Sequence, residues 1–272
     1  MESLLYVGLA LFGLLFGSFA NVVIWRFPRD ESLSYPGSHC PVCEAPIAWY
    51  DNVPVLSWIA LGGRCRACDT VISVRYPVVE LLSAVLWVLA GILFGVSLQT
   101  AWAILFFYLL LVLSFIDLDV RRLPNELVGL LFGFGVVGVA LSQFKWVGAL
   151  PLLPGGAGLL GEPAVFAGAG AVSAAGFMFI IALLYERIRD VQGLGMGDVK
   201  LLVVMGLYLG LYALLALFFA SVLGAVYAVL AARSEDISLR TALPFGPFLA
   251  VGAIIVTALG PAAWSWYTTL LT

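Results

Sequence analysis

An acid and a base interrupt apolar sequence at Gly195-Met196-Gly197-Asp198-Val199-Lys200, between the run Ala164–Tyr185 and the uncharged run Leu201–Ala232. An ionisable group inside a membrane segment is costly, so it is a functional candidate by default. A second acidic stretch, Ile116-Asp117-Leu118-Asp119-Val120-Arg121-Arg122-Leu123-Pro124, ends another apolar run. Carboxylates from two segments can then meet at one membrane face. In hydrolysis one carboxylate, ionised, takes a proton from water while the other, protonated, donates to the peptide carbonyl oxygen. Asp117 and Asp198 are the candidate catalytic pair, and their chemistry would be that of an aspartyl protease. Gly195, Gly197 and Lys200 form the candidate active-site loop: the glycines lack a Cβ, which lets a substrate backbone approach, and they permit positive φ. Asp198 is expected to open the helix entering Leu201, at the positive end of its dipole, and Asp117 to close the span Ala101–Ile116, at the negative end. That asymmetry makes Asp198 the ionised base and Asp117 the protonated acid, with Arg121 pulling the other way. The plainer alternative is that each aspartate caps a helix or pairs with Lys200 or Arg121 at the interface. Spacing alone leaves both readings open.

All four cysteines form two C-x-x-C knuckles, Cys40-Pro41-Val42-Cys43 and Cys65-Arg66-Ala67-Cys68. The gap between them lies just beyond the usual four-cysteine zinc spacing of about 15–20 residues. A closed shell of four thiolates has no open position, so the metal would be structural. The alternative is a redox pair, and a reducing cytoplasm argues against disulfides. Arg64 and Arg66 flank a ligand and would offset the excess charge of a tetrathiolate, unless they are ordinary solvated cations. His39, beside Cys40, reads as a bystander.

The elements that must position these groups are membrane helices. Hydrophobic residues make up 63% of the chain and charged residues 11%, with a mean hydropathy of +1.10. Soluble domains carry about 25% charged residues. No basic tract is long enough to suggest nucleic acid as a partner; membrane lipid is the implied surroundings. Leu4–Trp25 reads as a retained membrane helix with a Gly13/Gly17 G-x-x-x-G pair, and Asn21 within it needs a packing partner. Further spans are Pro77–Val96, with Glu80 near its entrance, then Ala101–Ile116, Leu127–Phe144 (with a second such pair, Gly129/Gly133), Ala164–Tyr185 and Phe245–Leu271. Lys145–Pro163 reads as a loop by its Pro and Gly content.

The run Leu201–Ala232 would be roughly 48 Å long as one helix, more than a hydrocarbon core of about 30 Å requires. Turned near Gly206–Gly210 it becomes two helices, and then Lys145 alone lies on one side while the other twelve of 13 Lys and Arg share the opposite side. The positive-inside rule therefore favours eight spans with the cysteine region and both aspartates at the cytoplasmic face. The expectation is an all-α polytopic membrane protein of about eight transmembrane helices with a small cytoplasmic four-cysteine zinc domain. Its divisions are residues 1–25 (first helix), 26–76 (zinc domain) and 77–272 (transmembrane peptidase domain).

Several motifs together resemble the bacterial type IV prepilin peptidases: the Gly195–Lys200 stretch, the acidic segment ending Leu123-Pro124, both knuckles, Gly17–Ile24, Asn52–Trp58 and Ile72–Glu80. The match covers nearly the whole chain, with the motifs in the family's order. The resemblance implies an inner-membrane aspartyl protease of the G-x-G-D class that cleaves type IV prepilins or the pseudopilins of type II secretion on the cytoplasmic side, just after a glycine. It also implies methylation of the new N-terminus using S-adenosylmethionine. It assigns catalysis to Asp117 and Asp198, and zinc to Cys40, Cys43, Cys65 and Cys68. Asn125 departs from the pattern, since an acid is expected after the Leu-Pro, and the Lys145–Pro163 loop is long. No dinucleotide-type glycine motif marks a cofactor pocket, so methylation rests on the resemblance alone. Two other readings are an ion-coupled transporter or channel with intramembrane acids and a non-enzymatic pilus or secretion assembly factor.

Overall fold

The computed structural model describes residues 2–144, 150–153, 155, 158–189, 195–233 and 243–271. Its chain divides into two compact units, Met1–Val96 and Ser97–Thr272. In the first, α1 (Glu2–Arg26) packs on α3 (Arg75–Phe94), and between them run the cysteine knuckles and the short α2 (Leu56–Ala60). In the second are α4 (Leu98–Val120), α5 (Asn125–Gln143), α6 (Pro163–Arg189), α7 (Met196–Leu209), α8 (Tyr212–Arg233) and α9 (Gly246–Leu271). Among the described residues six helices (α1, α3, α4, α5, α6 and α8) are long and apolar enough to cross a membrane. Together they make this a multi-pass membrane protein.

Local chemistry sets the helix boundaries. The Ser97 hydroxyl accepts from the Thr100 N–H and so starts α4, as an N-cap serine does. Arg121 stops α4 in a left-handed conformation, φ 52°, with its N–H on the Asp117 carbonyl. Pro124 then precedes α5, because a proline cannot continue the helix before it. The long run after Lys200 is two helices, parted at Gly210, whose φ of 59° a residue with a Cβ rarely adopts. At 14 residues, α7 is roughly 21 Å long, short of a core of about 30 Å.

Each unit has its own packing device. A Cβ added at Gly13 would lie 2.6 Å from the Ala84 Cα, and one at Gly17 2.6 Å from the Glu80 Cα, so the first G-x-x-x-G pair is the seam of α1 with α3. Asn21 donates its amide to the Tyr76 carbonyl at 3.1 Å, the packing bond expected of it. The second pair does nothing comparable, since nothing lies within 4 Å of a Cβ at Gly129 or Gly133. Gly135 and Gly138 of the same helix make the close contacts instead, with Tyr208 and Leu150. In the second unit Tyr208 is fully buried, stacks on Phe106 at 4.4 Å and donates its hydroxyl to the Leu131 carbonyl, tying α7 to α4 and α5.

The Lys145–Pro163 stretch is more than a loop where it is described. Leu150, Leu152 and Leu153 are buried, and the Leu152 N–H caps the Tyr208 carbonyl at the end of α7 at 2.7 Å. Lys145 and the region between Arg233 and Leu243 that contains Arg240, both used in the charge count, lie outside the described residues.

Candidate active site and metal centre

The two aspartates sit at opposite kinds of helix end. Asp198 is in the first turn of α7, three residues after the cap residue Gly195, and Asp117 is in the last turn of α4. Both are buried, at 9% and 6% exposure, near enough for their charges to interact. Neither makes an ion pair among the described residues. Lys200 donates instead to the Asn125 side-chain oxygen at 2.8 Å. A neutral amide therefore receives the lysine where an acid was expected, and α5 is fastened to α7 close to the acids.

The glycines of the loop act by close packing rather than by positive φ. Gly195 is extended, at φ −69° and ψ 124°, and Gly197 lies within α7. A Cβ at Gly197 would be 3.2 Å from the Leu123 Cβ, and one at Gly195 3.2 Å from the Asp198 Oδ2. The Leu123-Pro124 turn thus braces the start of α7, and bulk at Gly195 would push on the carboxylate itself.

One contact was invisible to sequence reasoning. The Gly246 N–H, at the start of α9, donates to the Asp117 Oδ2 at 2.9 Å across 129 residues. Capping, the plainer reading of an aspartate here, is thus met at Asp117, although the helix capped is a distant one. The dipole asymmetry expected between the two acids is reduced by it, because Asp117, at the C-terminal end of α4, also has the N-terminus of α9 beside it. The only local signal was Pro244-Phe245-Gly246-Pro247, which marks a helix start and says nothing of what faces it.

The four cysteines converge in the first unit. Their sulfurs lie within 4.8 Å of one another, with Cys40 to Cys68 at 3.8 Å and Cys43 to Cys65 at 4.0 Å. Tetrahedral zinc with Zn–S bonds of about 2.3 Å needs sulfurs about 3.8 Å apart, so the donor set fits that ion. The knuckles repeat one another bond for bond. In each, the first cysteine donates its N–H five residues ahead (Cys40 to Ala45, Cys65 to Thr70), and the residue after the second cysteine donates back to it (Glu44 to Cys40, Asp69 to Cys65). Glu44 and Asp69 are both left-handed, at φ 58° and 61°. The N–H groups of Cys43 and then Val42 pull the Cys40 thiol down, toward the thiolate that binds metal. At Cys68 the pull of the Thr70 N–H is outweighed by burial and the other three sulfurs, which push that thiol up. His39 turns its Nδ1 to the Gly37 carbonyl, away from the cluster's ligand set.

The flanking arginines spend their charge on carboxylates. Arg66 forks onto Asp51 at 2.6 and 2.7 Å, a bond that holds the Asp51 carboxyl below its usual range, and Arg64 reaches Asp69 at 3.8 Å.

A strained turn lies close by. Val55 has φ 61° and ψ −49°, and the Leu56 N–H bonds the Pro54 carbonyl across it, which makes a γ-turn of the positive-φ kind. For a β-branched residue this is an outlier costing on the order of 1–3 kcal/mol. Buried Glu80 holds it, accepting the Val55 N–H at 2.7 Å and bonding the Ser18 hydroxyl. Ser18, Val55 and Glu80 fall in three of the sequence stretches singled out separately above, and here they form one structural knot.

The class defined by this fold is a multi-pass helical membrane protein with acids held inside its apolar helices. Comparison with known proteins gives the family. Residues 11–94 match the bacterial peptidase A24 N-terminal domain, and residues 104–229 match the type IV leader peptidase family. The chain is 34% identical over 283 residues to the prepilin leader peptidase/N-methyltransferase of Aeromonas salmonicida (strain A449), covering 94% of this chain and 91% of that protein. It is 35% identical over 262 residues to the protein of the same name from Bacillus subtilis (strain 168), covering 95% and 96%, and 32% identical over 287 residues to that of Neisseria gonorrhoeae, covering 96% and 93%. No solved structure matches. The chain belongs to the type IV leader peptidase family.

Proposed function

We propose that the protein is an aspartic endopeptidase of the bacterial inner membrane that removes the leader peptides of type IV prepilins or type II secretion pseudopilins at the cytoplasmic face. Asp117 and Asp198 form its catalytic dyad. The observation that carries this reading is that two aspartates 81 residues apart in sequence (198 − 117) are both buried, lie near enough for their charges to interact and make no ion pair among the described residues. Two neighbouring buried carboxyls share a proton more readily than they carry two charges. The ionised one removes a proton from water as the water oxygen attacks the scissile carbonyl carbon; the protonated one delivers its proton to the carbonyl oxygen. Collapse of the tetrahedral intermediate breaks the C–N bond and returns a proton to the leaving amine. Gly195, at the cap of α7, and Gly197 and Lys200, within it, shape the helix start that presents Asp198.

Cys40, Cys43, Cys65 and Cys68 hold a structural zinc ion whose four thiolates leave no position for catalysis. Methylation of the new N-terminus from S-adenosylmethionine is supported by the names of the relatives, and no residue is assigned to it. The excess of positive charge on one side of the apolar runs supports the cytoplasmic orientation. Nothing in the fold or the comparisons favours a transporter, a channel or an assembly factor. The test is incubation of the purified protein with a pilin precursor and isotope-labelled S-adenosylmethionine, resolved by mass. A shortened product is expected, heavier by one labelled methyl group where methylation occurs; an intact precursor under conditions that cleave it with a relative's enzyme would refute the proposal.

A further inference from the structure

We propose that Gly246 is a positioning residue: its N–H and its lack of a side chain together hold the Asp117 carboxyl in one orientation, with Oδ2 engaged and Oδ1 left for the reaction. This rests on the assignment of Asp117 and Asp198 as the dyad. The N–H groups in the first turn of a helix have no partner within the helix. At α9 the preceding residue, Phe245, has no side-chain acceptor, and the next, Pro247, has no N–H to offer. The Gly246 N–H is the first of the free donors at this end, and it meets the Asp117 Oδ2 at 2.9 Å.

Sterics select the same residue. A Cβ at position 246 would stand 2.9 Å from that oxygen and 3.4 Å from the Asp117 Cβ and Cγ, so any side chain here would turn the carboxyl away. Elsewhere in α9 the glycines do other things. A Cβ at Gly252 would strike the Ala216 carbonyl oxygen of α8, a contact of helix packing remote from the acid. Proton transfer in a dyad depends on which oxygen faces the water, and a misplacement of about 1 Å can cost about a hundredfold in rate. Asp117 ends a helix, and its side chain would otherwise be free to rotate about two bonds. The start of a helix 129 residues away removes that freedom.

The test replaces Gly246 in the full-length protein with glycolic acid, which deletes the N–H and adds no side chain, alongside Gly246→Ala, Gly252→Ala and Gly224→Ala. Cleavage of a pilin precursor is followed as kcat and KM, thermal unfolding reports the fold, and the Asp117 carboxyl is read by infrared difference against Asp117→Asn. The glycolate variant is expected to keep its unfolding midpoint and KM, to lose kcat by about tenfold to a hundredfold, and to shift the Asp117 band. Gly246→Ala should do the same or more. Gly252→Ala should lower the midpoint without moving the band, and Gly224→Ala, whose Cβ would meet Phe248 at an ordinary 3.6 Å, should change neither. A glycolate variant with wild-type kcat and band overturns the proposal. So does one that unfolds, since the bond would then be holding the helix rather than the acid. If Asp117→Asn and Asp198→Asn are inactive while the glycolate variant is normal, this inference fails alone; if either Asn variant cleaves at the wild-type rate, the dyad fails and takes the inference with it.

Discussion

Asp119 stands two residues from Asp117, and the difference between them is burial. Asp117 faces the packed interior of the second unit at 6% exposure, while Asp119 is exposed at the helix end. Asp117→Asn and Asp198→Asn are expected to lower precursor cleavage by about a thousandfold or more, since in the proposed dyad each carboxyl gains or loses a proton. Asp119→Asn should keep most of the rate. The Asn at 117 still offers an oxygen to the Gly246 N–H, so the fold should survive and the loss can be read as chemistry. Glu80 provides a second contrast at this scale. Glu80→Ala leaves the Val55 N–H without its acceptor and is expected to destabilise the first unit by about 1–3 kcal/mol. Glu80→Gln, which keeps an acceptor oxygen, should cost less. Limited proteolysis between Trp49 and Leu56 would detect the loosening, and equal resistance of Glu80→Ala and wild type would remove the clamp assigned to Glu80.

Among the elements, the paired knuckles are the clearest case of one local structure used twice. Each presents two sulfurs from a turn stabilised by the same backbone bonds, but neither holds four ligands alone. A zinc ion held by all four sulfurs, as proposed, would couple metal binding to the folding of so small a region. Cys43→Ser is expected to drop zinc content from one equivalent per chain to near zero and to make the Arg26–Tyr76 region protease-sensitive, with activity falling through loss of structure. Metal analysis and digestion of the purified variant check this, and full zinc with normal resistance would contradict it. The α7 element is the opposite case. It is the shortest α-helix of the second unit, and it is held by Tyr208, by the Leu152 cap and by the Lys200–Asn125 bond. Its position is a property of its neighbours, and that matters because Asp198 rides on its first turn.

At the scale of the whole molecule the governing quantity is charge relative to the bilayer. The asymmetry of Lys and Arg predicts that Arg66 and Arg233 each face the cytoplasm. A cysteine placed at either position, with unpaired reporter labelling in intact and permeabilised cells, is expected to react only after the inner membrane is opened. Labelling of Arg233→Cys in intact cells would mean that α7 and α8 cross the bilayer differently from the arrangement proposed.

Much of this was legible in the sequence because the signals are local and strong. Runs of uncharged apolar residues specify membrane helices wherever they occur, since a backbone in hydrocarbon must bond to itself. Two C-x-x-C motifs carry their own turn geometry, and Asn21 inside an apolar span had to find an acceptor. The tertiary structure decided whatever depends on which faces meet. Two G-x-x-x-G pairs look alike in sequence, yet only Gly13/Gly17 lies in a seam, because the spacing of small residues does not say what stands opposite. Leu150, Leu152 and Leu153 sat in a stretch read as loop from its Pro and Gly, and their burial comes from the groove that other helices leave for them. The sequence likewise placed Asp117 and Asp198 at helix ends but could assign them only the dipoles of their own helices. The start of α9 at Asp117 changes that balance, and a field from a chain segment 129 residues distant exists only once the helices have packed.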